Sequence, residues 1–331
     1  MNLLLKPMVV FGLLAALVAG ATFGQTTTIA AIMPAQGQFI TAFEGLKSEL
    51  GAKYSIVVID INKQQGAKEV AELCKASQVE GLILMDNKAI ALTKDLQNLD
   101  TAFIAMPKFV LMTLSAVVST QGLQNASGIT FEVPGYTLVT NFRIISKKDF
   151  SKVGVFYRSS VSKALIDDAK RLLAKERISL DAVCVDCASK DKIAPKDALK
   201  LMSGSLESMI SQDKIEAIWL VADNVIVNGE NLDKFWLKQV KARNIPIIAS
   251  LETLASPQIG AAVFTADPDY TQLGIQSASQ VVQYYEEGKS SKEIGFEPTI
   301  SIKSIVNLSV AAQIGWGVKE EKMNRIDKII K

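Results

Sequence analysis

Two places in this chain carry side chains whose type and spacing point to chemistry: Cys184-Val185-Asp186-Cys187 and Asp223. The C-x-x-C spacing is that of redox proteins, whose reactive thiol sits at a helix N-terminus where the dipole lowers its pKa. Here the pair closes a predicted strand, and nothing beside it supplies activation. A local disulfide, two reduced thiols and a redox site all fit the spacing, and Cys74 makes the count odd, so at least one thiol is left over. Asp223 follows the apolar run Ala217-Ile218-Trp219-Leu220-Val221, so a strand end delivers it to a sheet edge. A carboxylate buried there needs a charged or hydrogen-bonded partner. A ligand ammonium is one such partner, and the N-terminus of the next helix is the rival one.

Other catalytic arrangements are missing. The chain has 0 histidines, which excludes Ser-His-Asp and Cys-His catalysis and His-based zinc sites. It has no phosphate-binding Walker motif and no G-x-S-x-G elbow, and Gly122, Gly128 and Gly135 do not form a nucleotide fingerprint. The acidic pairs Asp167-Asp168 and Glu286-Glu287 lie among charges on helical stretches and read as solvated faces. Asn125-Ala126-Ser127 and Asn307-Leu308-Ser309 match a glycosylation pattern too common to carry weight. A formal charge of +2 with the signs interspersed gives nucleic acid nothing to bind. A binder rather than an enzyme is expected, with no catalytic residue, cofactor or metal.

The first 24 residues read as an export signal. Lys6 supplies the positive region, Met8 to Val18 the apolar region, and Ala19-Gly20-Ala21 or Thr22-Phe23-Gly24 the small residues of a cleavage site. The apolar run ending at Phe23 is shorter than the ~20 residues that span a bilayer, so cleavage is expected rather than anchoring. No cysteine follows closely enough to carry a lipid. The expected product is a soluble, non-lipidated periplasmic chain of roughly 300 residues, enough for two domains.

Elements must position these residues, and short β-branched runs alternate with amphipathic stretches from end to end, the pattern of parallel sheets with crossover helices. One set of strands is read at 28–33, 55–59, 81–85 and 102–105, and a second at 152–157, 180–185, 217–221, 245–249 and 261–264. Val161, Ala164, Leu165, Ala169, Leu172 and Leu173 recur at helical spacing. A further helix begins after Asp267-Pro268-Asp269 and stops at Gly288, beyond the second set. The chain therefore recrosses to the first lobe, and several connections make a hinge. The predicted fold class is α/β, with two doubly wound parallel-sheet lobes joined by a multi-strand hinge.

Ligands of open parallel sheets bind beyond the carboxyl ends of the strands, and two such edges facing each other across a hinge form a cleft. The candidate ligand-binding residues of the first lobe are Gln36, Gln38 and Phe39, then Asp86 and Asn87, with Met106-Pro107 after the predicted fourth strand. Those of the second lobe are Tyr157, Arg158, Ser159 and Ser160, then Asp223 and Asn224, then Glu252. Turn and cap chemistry also accounts for many Ser, Asp and Asn residues at such joins.

Several stretches together resemble the periplasmic substrate-binding components of ABC transporters of the tryptophan/tyrosine-type group, which have the type I periplasmic-binding-protein fold. They are Asn125-Ala126-Ser127-Gly128-Ile129, Lys152-Val153-Gly154-Val155-Phe156-Tyr157, Glu216-Ala217-Ile218 leading to Asp223-Asn224, Ile245-Pro246-Ile247, Gly260-Ala261-Ala262, Asp269-Tyr270 through Gly274 to Gly288-Lys289, and Val306-Asn307-Leu308 leading to Ile314-Gly315. The resemblance covers Gly128 to the C-terminus well and 28–127 more loosely. It implies two lobes joined by three crossings, closure around a small ligand, delivery to a membrane permease, and amino acids, often aromatic, among the ligands. On that footing 1–24 is the signal peptide, lobe 1 comprises 25–130 plus 267–299, and lobe 2 comprises 131–266 plus 300–331. Asp223 and Asn224 match the family's Asp-Asn pair, and Tyr157 begins the turn facing the ligand.

Three departures bear on the ligand: Met85-Asp86-Asn87 stands for a Thr-containing turn, Leu111-Met112 for an Asp-Pro, and Arg158-Ser159-Ser160-Val161-Ser162 for a turn that carries an acid. Arg158 offers a planar fork to a ligand carboxylate, so a related carboxylate stands beside an amino acid as the expected solute; an exposed salt-bridging arginine is the other reading. The expected partners are a small-molecule ligand and an ABC permease, or alternatively a membrane sensor, with the protein acting as a monomer. A thiol oxidoreductase using Cys184 and Cys187 is the reading from a different class.

Overall fold

Strands such as Thr27–Met33 are apolar at nearly every position because both faces of the sheet are covered. Ile29, Ala31 and Met33 pack with one apolar cluster while Ala30 and Ile32 pack with another, as the period of two requires. The computed structural model describes residues 26–63, 66–188 and 193–331; the predicted export signal lies outside them. Among the described residues, β1 (Thr27–Met33), β2 (Tyr54–Asp60), β3 (Gly81–Met85), β4 (Lys108–Leu111), β5 (Ala126–Thr130) and β11 (Phe296–Pro298) form one sheet in the order β11-β5-β4-β3-β1-β2. Every neighbouring pair in it is parallel.

The second sheet contains β6 (Lys152–Tyr157), β7 (Ser179–Cys184), β8 (Ala217–Leu220), β9 (Ile247–Ala249), β10 (Phe264–Pro268), β12 (Ile302–Asn307) and β13 (Lys328–Ile330), in the order β13-β12-β10-β9-β8-β6-β7. It also separates two apolar clusters, one holding Val155, Trp219 and Phe264 and the other Phe156, Leu220 and Ala249. The chain passes between the sheets three times, after β5, after β10 and after β11. The last passage explains a departure from the all-parallel expectation: β12 enters from the hinge, at the edge where β10 ends, and so runs antiparallel to it. β13 follows β12 in parallel.

The helix Tyr270–Tyr285 follows the second crossing and returns to the first sheet, where Leu273, Ala278 and Val281 join the cluster of Ile29, Ile83 and Phe109. It lies against the helix Gly37–Leu50 with backbones touching. A Cβ on Gly274 would sit 1.9 Å from the Ala42 carbonyl oxygen, and one on Gly45 2.2 Å from that of Thr271.

Two predicted strands move. Residues 102–105 form the short helix Ala102–Ala105, and the strand is Lys108–Leu111 instead. The Asp100 carboxylate accepts the Ala102 N–H at 2.9 Å, which starts a helical turn, and Pro107 stops it by holding Met106 extended. Met106 and Pro107 therefore precede β4 at the edge away from the cleft, and Met112 and Thr113 follow it. The strand expected at 261–264 runs from Phe264 to Pro268. Among the described residues no helix is long and apolar enough to cross a membrane.

Candidate ligand-binding cleft

β6 and β8 are neighbours, so the turns at their carboxyl ends lie side by side. Arg158 Nε donates to Asp223 Oδ2 at 2.7 Å, and Arg158 Nη2 reaches Asn224 Oδ1 at 3.5 Å. The other Asp223 oxygen accepts the Val225 N–H at 2.8 Å. The Asp223 side chain is 0% exposed and that of Arg158 15%. The partner that a buried carboxylate requires comes from within the chain, so the buried position does not by itself call for a ligand ammonium. Arg158 is correspondingly committed to Asp223 and Asn224.

Ser159 and Ser160 open the helix Ser159–Lys175, whose free N–H groups form a natural anion site. Asp186, at the end of the adjacent β7, occupies it: it accepts the Ser159 N–H at 2.6 Å, the Ser160 N–H at 3.2 Å and the Ser160 hydroxyl at 2.6 Å. Burial raises the Asp186 pKa, but the bonds from Ser160 and Ser159 outweigh it and hold the carboxyl below the usual range. Cys184 and Cys187 are joined by a disulfide that brackets Asp186, with Cα atoms 5.6 Å apart. The C-x-x-C thus closes a strand-end turn, not a helix N-terminus, and it braces the residue that caps the neighbouring helix. Cys74 is a buried free thiol in the first lobe, pushed up to about 11 by burial.

The first-lobe candidates make simpler contacts. Asp86 caps the helix Asn87–Leu99 by accepting the Lys88 N–H at 2.8 Å, with its own φ at 91°. Asn87 is exposed and accepts from the Ser119 hydroxyl at 3.4 Å. Gln36 and Gln38 are exposed at the start of the helix Gly37–Leu50, and Phe39 packs partly buried against the core. In the second lobe Tyr157 is partly buried against its own core, and the Glu252 carboxylate meets Lys328 at 2.6 Å. Asn307 of the second glycosylation pattern is buried, bonded to Ala255 and to the Val310 N–H.

The hinge holds carboxylates that strand-end reasoning passed over. Asp267, at the end of β10, is 4% exposed; its Oδ2 accepts the Glu252 N–H at 2.7 Å, while its Oδ1 has no partner. Burial pushes this carboxyl up to about 7, against a bond from the Glu252 N–H that lowers it. Tyr270 stacks on Phe131 with ring centroids 6.1 Å apart, and burial pushes its hydroxyl far up.

A cavity of about 300 Å³ opens between the lobes. Ser115, Val117 and Val118 line it from the first lobe, Thr130 and Pro298 from the strand ends where the first and third crossings start, Glu132 and Pro134 from the first crossing itself, and Val161, Leu165 and Asp168 from the second lobe. None of the strand-end candidates named from the sequence lines it. Glu132 Oε1 accepts the Ser115 N–H, and burial raises the Glu132 pKa above the usual carboxylate range despite the bonds from the Ser115 N–H and its own. The signal was a lone acid in Phe131-Glu132-Val133-Pro134, but it counts only once 126–130 is known to be a strand, and Ser127 and Gly128 hide that.

Two lobes built on parallel sheets, three crossings and a cavity between the lobes define a two-lobed solute-binding architecture, the type I periplasmic-binding fold. Residues 144–330 match the family described as ABC transporter substrate binding protein, and the chain belongs to that family. A search of curated proteins finds no match. Among solved structures, a ligand-free, open substrate-binding protein with adhesive properties from Clostridium difficile is 15% identical with a TM-score of 0.64, covering 92% of this chain and 99% of that one. An ABC domain in complex with L-Trp from Streptococcus pneumonia is 15% identical at a TM-score of 0.58, covering 92% and 100%. A conserved domain protein from Vibrio cholerae is 17% identical at 0.58 with the same coverage. At these identities the likeness speaks for the fold.

Proposed function

We propose that this protein captures a small organic solute outside the cytoplasm by closing its lobes about the hinge, and hands it to an ABC importer. The observation that carries this is the cavity lined at once by both lobes and by the first crossing. A solute there touches both lobes only when they close, so it favours the closed state by its differential affinity for it. Family membership supports delivery to an importer, and the N-terminal signal supports export. An amino acid or a related carboxylate is the solute class to which the sequence points, and the L-Trp bound by the pneumococcal protein is in keeping with the former.

The test is a thermal-shift screen of the mature chain against amino acids, small carboxylates and aromatic metabolites, followed by small-angle scattering. A solute that binds only the folded state raises the melting temperature, and closure lowers the radius of gyration. Solutes that bind without compaction would rule out the closure mechanism, and a screen with no binder would remove the receptor reading.

A further inference from the structure

The cavity between the lobes has one electrostatic sign. Its lining includes Glu132 and Asp168 and no lysine or arginine. Asp168 is already paired, on the helix surface, with Arg171. Among the described residues, no cation lies within ion-pair distance of Glu132. The rest of the wall is apolar: Val117 and Val118 on one side, 60% and 39% exposed, face the helix that carries Val161 and Leu165 on the other.

The receptors that would suit a carboxylate are occupied from within. Arg158 is held by Asp223 and Asn224, and the N-terminus of the helix Ser159–Lys175 is filled by Asp186. An anionic group entering this cavity would meet a carboxylate and valines. A cation would meet the opposite charge it needs.

Building on the solute-binding reading, we propose that the solute is a cationic amine on an apolar body, its ammonium seated on Glu132 and its body between the Val117/Val118 wall and the Val161/Leu165 wall. The position of Glu132 suits this role. It lies in the first crossing, so a charge placed there is met at the hinge itself, and its bond to Ser115 holds a turn in which Met112 and Ser115 both have left-handed φ angles, 55° and 53°. Burial without a cationic neighbour is what raises the Glu132 pKa, and an ammonium is the partner that reverses it.

The probes are two matched trios measured by isothermal titration on the mature chain: phenethylamine, L-phenylalanine and 3-phenylpropionate; and isoamylamine, L-leucine and 4-methylpentanoate. The simple amine of at least one trio is expected to bind, its amino acid more weakly because of the added carboxylate, and the carboxylate-only member not at all. Glu132→Gln keeps an acceptor for the Ser115 N–H and removes the charge, so the fold should persist while amine affinity falls about tenfold to hundredfold. Val117→Lys, at an exposed position, places an internal ammonium at the cavity and is expected to abolish amine binding with the melting temperature unchanged. Affinity for an amino acid or a carboxylate-only member equal to or above that for its simple amine, full affinity in a folded Glu132→Gln, or no binding by either simple amine would overturn the proposal. A binder of another class in the wider screen, with compaction, would overturn it while leaving the solute-receptor reading standing.

Discussion

Arg158 Nε donates to Asp223 Oδ2 at 2.7 Å, so the residue that follows β6 and the residue beyond the end of the adjacent β8 neutralise each other at the second lobe's edge. Because the Asp223 side chain is fully buried, the pair acts as a structural unit, and removing one member leaves the other charge uncompensated. Asp223→Ala is expected to lower the unfolding free energy by about 3 kcal/mol in urea titrations, with most of it recovered in Asp223→Ala/Arg158→Met. A single variant within about 0.5 kcal/mol of the parent would show that the pair contributes little.

Asp267 should make stability depend on pH. Its folded pKa, about 7, lies above the ordinary 3.8, so between those values the folded state keeps a proton that the unfolded state has lost. The stability this group contributes is full below about pH 4 and lost as pH rises through 7. Asp267→Asn carries no such dependence, so its stability relative to the parent should be on the order of 4 kcal/mol more favourable at pH 8 than at pH 4. A difference that stays flat across that range would contradict the buried, unpartnered oxygen.

Lys108 gives the opposite slope at alkaline pH. It is fully buried at the start of β4, its ammonium donating to the carbonyls of Met106 at 2.7 Å, Gln124 at 2.9 Å and Ile104 at 3.3 Å, and burial lowers its pKa to about 8. Between that value and the ordinary 10.5 the unfolded chain binds the extra proton, so the parent gains stability as pH rises through this window. Chemical unfolding of the parent and of Lys108→Met at pH 7.5 and pH 10 should show the difference growing in the parent's favour. An unchanged difference would place the ammonium in water.

The contact between helices at Gly45 and Gly274 tolerates no side chain. Gly274→Ala puts a Cβ 1.9 Å from a backbone oxygen and is expected to cost about 3 kcal/mol, lowering the melting temperature by several degrees. Gly204→Ala, in the helix Pro195–Ser211 with nothing within 4 Å of its Cβ, is the control and should stabilise by up to about 1 kcal/mol. If both variants melt alike, the two helices do not touch as described.

How much of this was readable in advance depended on the range of the signal. β1, β3, β6 and β8 were legible because an apolar run bounded by turn residues reports burial on both faces from local composition. β11 and β12 were not, since Phe296–Pro298 is a three-residue strand and the antiparallel entry of β12 follows from the hinge, which no local pattern records. At 102–105 a short apolar run formed a helix because Asp100 and Pro107, outside the run, govern its ends.

The amino-acid sequence by itself determined the α/β class, the strand-end turns where Arg158, Asp186 and Asp223 gather, the disulfide-competent spacing of Cys184 and Cys187, and the absence of histidine chemistry, because each is set by composition or by neighbours a few residues away. Tertiary structure alone decided which of those groups are free. Asp223 is answered by a residue 65 positions away and the helix N-terminus at Ser159 by one 27 away, and Glu132 meets Ser115 across 17. Such pairings arise only when parallel strands bring distant turns to one edge, and they leave an acidic, apolar-walled cavity between the lobes.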